Sequence, residues 1–317
     1  MAQATTGPTG PRIGLPDLQG SRKRARKERF VRTLFFASAA LSIVISAVIV
    51  LSLFGEALTF LTNVDWSTLV DPVKGWFPRR ARFDVLTIIA GTLTVSIIAI
   101  IVAAPLGLGA AMYLSEYASA RLRKVLKPIL EILAGIPSVV LGYFALTWLS
   151  PNLVRPICAD PSTFNLGAAG IAVGILITPL VASVAEDSLR AVPMALREAS
   201  YGMGARRMST TLNVVVPAAI SGIVASLILA LSRAIGETMV VAVAAGATGG
   251  SEFTINPCGP GQTMTAAMTS LAIGSDRVRG QEGTFESLFF VGLVLFFMTL
   301  ALNLLSQRFV RRVRQKY

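Results

Sequence analysis

Apolar residues gather into six blocks along the chain. Each is long enough to cross a hydrocarbon layer about 30 Å thick, which takes about 20 helical residues. The blocks run Leu34–Leu53, Leu86–Leu114, Val125–Leu149, Leu166–Ala185, Ala218–Gly246 and Leu288–Leu305. Pro179 interrupts the fourth block and makes it the weakest of the six, while Pro105, Pro128 and Pro137 mark kinks or ends, which membrane helices tolerate. The pattern predicts an all-α integral membrane protein with six transmembrane helices.

Between the fourth and fifth blocks, from Glu186 to Pro217, the pattern changes. Pro193 opens a helix, Met194 to Ala199 continue it, and Gly202 and Gly204 end it. Arg206 to Val216 reads as a second helix that runs into Pro217 and the fifth block. The stretch Thr263–Ile273, inside the long segment after Gly246, reads as a surface or re-entrant helix.

Composition agrees with this pattern. Of 317 residues, 53% are hydrophobic and 15% charged, against about 25% charged in soluble domains. Histidine is absent, which excludes a Ser-His-Asp triad, an HExxH zinc site and a histidine proton relay within the chain. Two cysteines, Cys158 and Cys258, exclude a cysteine-rich metal site, and no metal site is expected.

The net charge of +12 is explained by topology rather than by nucleic acid. With both termini cytoplasmic, 21 of the 29 basic residues flank the blocks inside, 7 lie outside and Arg233 is within the membrane. Residues 1–33 then form a disordered, basic cytoplasmic tail, 34–54 the first transmembrane helix and 55–85 an extracytoplasmic loop. About thirty polar residues before the first block argue against a cleavable leader, and the basic run among them anchors on anionic membrane lipid. Cys158 and Cys258 share the outer side, which permits a disulfide but equally fits two free thiols, because the α-carbons must also approach within ~7 Å.

The fifth block carries a charge of each sign, Arg233 and Glu237, flanked by Ser232 and Thr238. A charge at bilayer depth costs roughly 2.5–3.5 kcal/mol on insertion scales, so it is rarely kept without a use. Four residues apart on a continuous helix, the two share a face and partly neutralise each other. One reading is an ion pair that fixes helix packing. The other is a polar patch on a translocation path, where arginine recognises an oxyanion through planar, multi-donor contacts.

Two motifs carry a resemblance. Glu198-Ala199-Ser200, then Gly204, then Val214-Val215-Val216-Pro217, is similar to the EAA loop of ABC importer permeases. Ser200 stands for the third small residue, and Val214 and Val216 for isoleucine and leucine. Arg233-Ala234-Ile235-Gly236-Glu237-Thr238-Met239 resembles the corresponding helix of phosphate-specific (Pst) importer permeases, PstC-type rather than PstA-type. Gly135 to Gly142, Ala104 to Gly107 and Tyr113 to Tyr117 resemble the same family.

The resemblance implies a type I ABC importer permease fold, with helices two to six as core over residues 86–306, a coupling loop at 187–217 and a basic cytoplasmic tail at 307–317. It implies that Glu198, Ala199, Ser200, Gly204 and Pro217 couple the chain to an ATPase, and that Arg233, Glu237, Ser232 and Thr238 line the substrate pathway. The implied partners are a PstA-type permease, two ATPase subunits and an extracytoplasmic phosphate-binding protein. The chain contains no GxxxxGK[ST] motif, so it is expected to be no enzyme and to hold no cofactor, with ATP and magnesium bound by partner subunits. Two alternatives remain beside phosphate import: a permease for another oxyanion, and a proton-coupled secondary transporter using Glu237. A membrane-embedded enzyme is disfavoured by the missing histidine and the lack of a clustered nucleophile and base.

Overall fold

A computed structural model describes residues 22–159, 162–246, 250–273 and 283–313, with the side chains at 22–25, 311 and 313 excepted. Residues 1–21 of the segment expected to be disordered, the outer Arg277 and Arg279, and the tail residues Arg314 and Lys316 lie outside them, whereas residues 22–33 of that segment are helical rather than disordered.

The chain divides after Ser52 into two units. The first unit holds most of helix α1 (Arg22–Asn63), whose large apolar side chains from Phe30 to Leu51 are exposed, apart from half-buried Val50. In the second unit, the last turns of α1 bury Ala57 and Phe60, with the Phe60 ring centroid 5.0 Å from Phe83 and 5.2 Å from Phe290.

A two-stranded antiparallel ribbon, β1 (Trp76–Phe77) and β2 (Arg82–Phe83), leads into α2 (Val85–Tyr117). Buried Asp84 caps α2 by accepting from the backbone N–H of Leu86 and Thr87, which satisfies two of the helix's orphan donors. The helices that follow are α3 (Ala120–Leu133), α4 (Ser138–Ile157), α5 (Leu166–Arg190), α6 (Met194–Gly202), α7 (Arg207–Ala218), α8 (Ile220–Ile235), α9 (Met239–Ala244), α10 (Met264–Ile273) and α11 (Glu286–Val313).

Helix α5 is the centre of the second unit. Of its most apolar stretch 67% is buried, against 44% for α2 and 17% for α11. The fourth block is thus the most enclosed span rather than the weakest. Pro179 is buried inside an unbroken helix, as membrane helices allow. Lipid offers no hydrophobic drive between helices, so α2 and α5 associate through close packing of small residues. A Cβ added at Gly170 would stand 2.7 Å from Ile98 Cβ, one at Gly174 would stand 2.8 Å from Val102 Cβ, and one at Gly107 would stand 2.7 Å from Val181 Cβ. Asn165 caps α5 by accepting from the Ala168 N–H at 2.7 Å, and its amide donates to Ser150 Oγ at 2.7 Å.

Two blocks expected to be single spans are broken. The third turns by 83° between α3 and α4. Pro137 lacks an N–H and keeps Ile136 away from helical backbone angles, so the helix stops there. Helix α3 buries no residue. It exposes Leu122, Val125, Ile129 and Ile132 beside basic residues, the pattern of a helix lying along a membrane surface. The fifth block is approached through a 72° bend between α7 and α8, and it breaks again between α8 and α9. Among the described residues, four helices thus qualify as spans by length and composition on their own, and there are up to six spans when each bent pair counts as one.

Candidate functional site

The break between α8 and α9 falls on the motif that carries Arg233 and Glu237. Gly236 caps α8, its N–H donating to Ser232 O at 3.3 Å, and the Glu237 N–H donates to Ala234 O at 3.2 Å. Thr238 stands at the start of α9 with φ −109°, its hydroxyl donating to Gly236 O at 3.2 Å. The continuous helix face expected for positions 233 and 237 is therefore absent. No ion pair joins Arg233 to Glu237, or to any other acidic side chain among the described residues. Arg233 is exposed on the last turn of α8. Half-buried Glu237 turns its carboxylate to the Val240 N–H, with Oε1 3.5 Å from that nitrogen.

Broken backbone at membrane depth survives only where its polar groups find partners. Here Thr265 Oγ donates to the freed Glu237 carbonyl at 2.9 Å. Thr265 lies on α10, which buries Met264, Thr265, Ala266, Ala267 and Leu271 and so is packed into the protein rather than lying on its surface. On the other side α4 meets α9 through Gly142, where an added Cβ would be 3.1 Å from Val240 Cα. Ser232 Oγ donates at 3.3 Å to Asn303 Oδ1 on α11. Thr265, Gly142 and Asn303 belong to the site although the sequence reading gave none of them a role there. Only the apolar Thr263–Ile273 stretch signalled such a contact in advance.

The second constellation is the segment around α6. Glu198 and Ala199 are exposed, and half-buried Ser200 sets its hydroxyl 2.9 Å from Thr210 Oγ. Gly204 has φ +81°, a left-handed conformation natural to glycine, and closes the turn into α7. Pro217 is exposed near the end of α7, next to the bend. Met203 is 89% and Met194 61% exposed, so α6 projects an uncovered apolar tip.

Buried Arg197 holds α6 to the rest of the chain. Its Nη2 donates to Glu116 Oε1 at 2.8 Å, at the end of α2, and to Leu189 O at 2.8 Å, while Nη1 donates to Val192 O at 2.6 Å. A neighbouring network joins Lys127 Nζ to Glu186 at 2.7 Å and to Asp187 at 2.8 Å. The bonds to Asp187 and then Glu186 hold the Lys127 ammonium above the ordinary lysine range. A lone acidic residue ending an apolar block, as Glu116 does, was the available signal for such a pair.

The two constellations lie at opposite ends of α8, whose 16 residues span roughly 24 Å. At the end away from α6, the sulfurs of Cys158 and Cys258 are bonded, with α-carbons 5.9 Å apart. The bond pins the turn after α4 to the loop whose Pro257 and Gly259 carbonyls accept from the N–H groups of Gly167 and Leu166 at the start of α5.

The family described as binding-protein-dependent transport system inner membrane component matches residues 103–317. The chain is 31% identical over 323 residues to a Mesorhizobium japonicum protein named phosphate transport system permease protein PstC, covering 94% of this chain and 96% of that one. It is 33% identical to the probable ABC transporter permease protein YqgH of Bacillus subtilis, over 78% of this chain and 76% of that one. A chain from the crystal structure of a bacterial alginate ABC transporter matches with a TM-score of 0.62, covering 91% of this chain and 98% of that one at 16% identity, which is a likeness of fold. With its multi-pass helices, broken spans and projecting α6, this chain belongs to the family of binding-protein-dependent transport system inner membrane components and is an ABC importer permease.

Proposed function

We propose that this chain is one permease half of an ATP-driven importer that carries inorganic phosphate into the cytoplasm by alternating access. The observation that carries the reading is Arg233, an exposed guanidinium without an acidic partner among the described residues, at a helix break within a membrane span. Discontinuous membrane helices are where transporters commonly place their substrate sites. An arginine freed from a counter-charge offers its donors to an oxyanion, and the PstC relative supports phosphate as that anion. In this reading Ser232, next in the chain, and Thr238, past the break, add hydroxyls to the path, and Glu237, whose carboxylate faces the Val240 N–H of α9, limits how tightly the anion is kept.

In this reading the termini and α6 face the cytoplasm. Glu198, Ala199, Ser200, Gly204 and Pro217 form the element that docks on an ATPase subunit. Two such subunits bind ATP and magnesium and hydrolyse the nucleotide, a PstA-type permease supplies the other half of the path, and an extracytoplasmic binding protein delivers phosphate. Closure of the ATPase pair moves α6, and the rigid α8 carries that motion to Arg233.

Phosphate uptake by cells lacking their own phosphate importer tests the proposal. Arg233→Gln is expected to abolish uptake while membrane levels of the chain and its assembly with its partners stay normal. Uptake at the wild-type rate in that variant would remove Arg233 from the path.

A further inference from the structure

Two hollows lie side by side, the first against α6 and the second between α2 and α7. The first, of about 580 Å³, is lined by Arg123, Arg190, Arg197 and Arg207 together with one carboxylate, Glu116. The second, of about 350 Å³, is apolar, with Met112, Tyr117, Met208 and Leu212 in its wall. They adjoin where the Arg207 guanidinium sits 5.1 Å above the Tyr117 ring.

The four arginines are not equivalent. Arg197 is spent on Glu116 and on two backbone carbonyls. Arg123 donates to the Leu114 and Ser115 carbonyls at 2.8 and 3.2 Å. These two form a fixed positive floor, and Arg197 faces both oxygens of Glu116, at 2.8 and 3.4 Å. Arg190 is 52% exposed and reaches only Glu186 among the described residues, at 3.5 Å. Arg207 touches the Tyr117 ring and makes no ion pair with a described acidic side chain. Arg190 and Arg207 therefore retain donors for an anion from outside the chain.

A free inorganic anion, or the acidic side chain of a partner, would use the first hollow and leave the second empty. An amphiphile with an anionic head and an aliphatic chain uses both. The membrane surface is at hand, because Arg123 belongs to α3, whose Leu122, Val125 and Ile129 are exposed beside it. We propose that the paired hollows bind an anionic phospholipid of the cytoplasmic leaflet, its phosphodiester between Arg190 and Arg207 and one acyl chain against Tyr117 and Leu212. Basic pockets between helices on that side of a membrane suit anionic headgroups. The leaflet assignment rests on the topology proposed above. Such a lipid would tie the ends of α2 and α5 to α7, which follows the α6 turn, and so make the seating of that turn depend on membrane composition.

Lipid retention tests this without reading transport, so its failure and a failure of the import reading are separable. The full chain is placed in vesicles of phosphatidylcholine and phosphatidylglycerol in equal parts and extracted in mild detergent. The lipid that stays bound is then quantified by mass spectrometry. Wild type is expected to retain phosphatidylglycerol in preference, and Arg190→Gln with Arg207→Gln to lower that preference roughly thirtyfold, at about 1 kcal/mol per basic residue. Leu212→Gln is expected to weaken retention of long-chain but not of short-chain phosphatidylglycerol. Equal retention of the two lipids by wild type overturns the proposal whatever the variants do. Displacement of phosphatidylglycerol by added inorganic phosphate overturns it too, in favour of a free-anion site.

Discussion

Arg197 lies within α6 and Arg233 on the last turn of α8, and their surroundings give them opposite uses. Arg197 is 8% exposed, and its donors are consumed by Glu116 and two carbonyls. Arg233 is exposed and has no acidic partner among the described residues. The first holds structure and the second is available to a ligand. Removing Arg197 strands Glu116, itself 5% exposed, and breaking a buried pair costs about 3–5 kcal/mol. Arg197→Met should lower the thermal midpoint of the purified chain and cut uptake. Adding Glu116→Gln should restore part of the midpoint, since the stranded charge is then gone. A midpoint for Arg197→Met equal to wild type would show that α6 is held by something else. The charges at 233 and 237 were legible in the sequence because they interrupt an apolar block. Their separation was not, because it depends on a backbone break that Gly236 permits and Thr265, 28 residues further on, completes.

Among elements, the contrast lies between α5 and the two broken spans. All three blocks contain helix-breaking residues, and apolar length alone does not say which will break. Pro179 is absorbed because α5 is enclosed on several sides and fixed by the small-residue seam with α2. Pro137 and Gly236 fall where the backbone turns toward another element, α3 in one case and α10 in the other. The seam makes a prediction of its own. A Cβ at Gly174 would also lie 2.9 Å from the Ala99 carbonyl oxygen, a backbone atom that cannot step aside as a flexible side chain can. Gly174→Leu should force α2 and α5 apart, at a cost of roughly 1–3 kcal/mol or more. The expected outcome is a chain that inserts but elutes as aggregate on size exclusion in detergent. A single symmetric peak would mean that the seam is looser than its geometry indicates. The α6 turn was legible in outline, because Pro193, Gly202 and Gly204 punctuate it by local backbone chemistry. The sizes of the 83° and 72° bends were not, because Pro137 and Pro217 mark where a helix ends or bends without setting the direction of the next one.

At the scale of the whole molecule, the site and the projecting helix are separated by the length of α8, and transport requires that one sense the other. Gly204 is the place to interrupt that link without unfolding the chain. Its φ of +81° costs an L-residue roughly 1–2 kcal/mol, yet an added Cβ there would meet nothing within 4 Å. Gly204→Leu therefore disturbs the turn and crowds the surface that α6 offers to a partner, while the helical core keeps its packing. Asparagine adopts the left-handed conformation more readily than other side chains, so Gly204→Asn relaxes the backbone strain and adds less bulk. In the importer complex reconstituted with the proposed ATPase subunits, Gly204→Leu should hydrolyse ATP without moving phosphate, or fail to assemble. Gly204→Asn should keep most of both activities. Equal transport by the two variants at the wild-type ratio of phosphate moved to ATP hydrolysed would sever α6 from coupling. It would leave Arg233 with a membrane path but no engine attached at this turn.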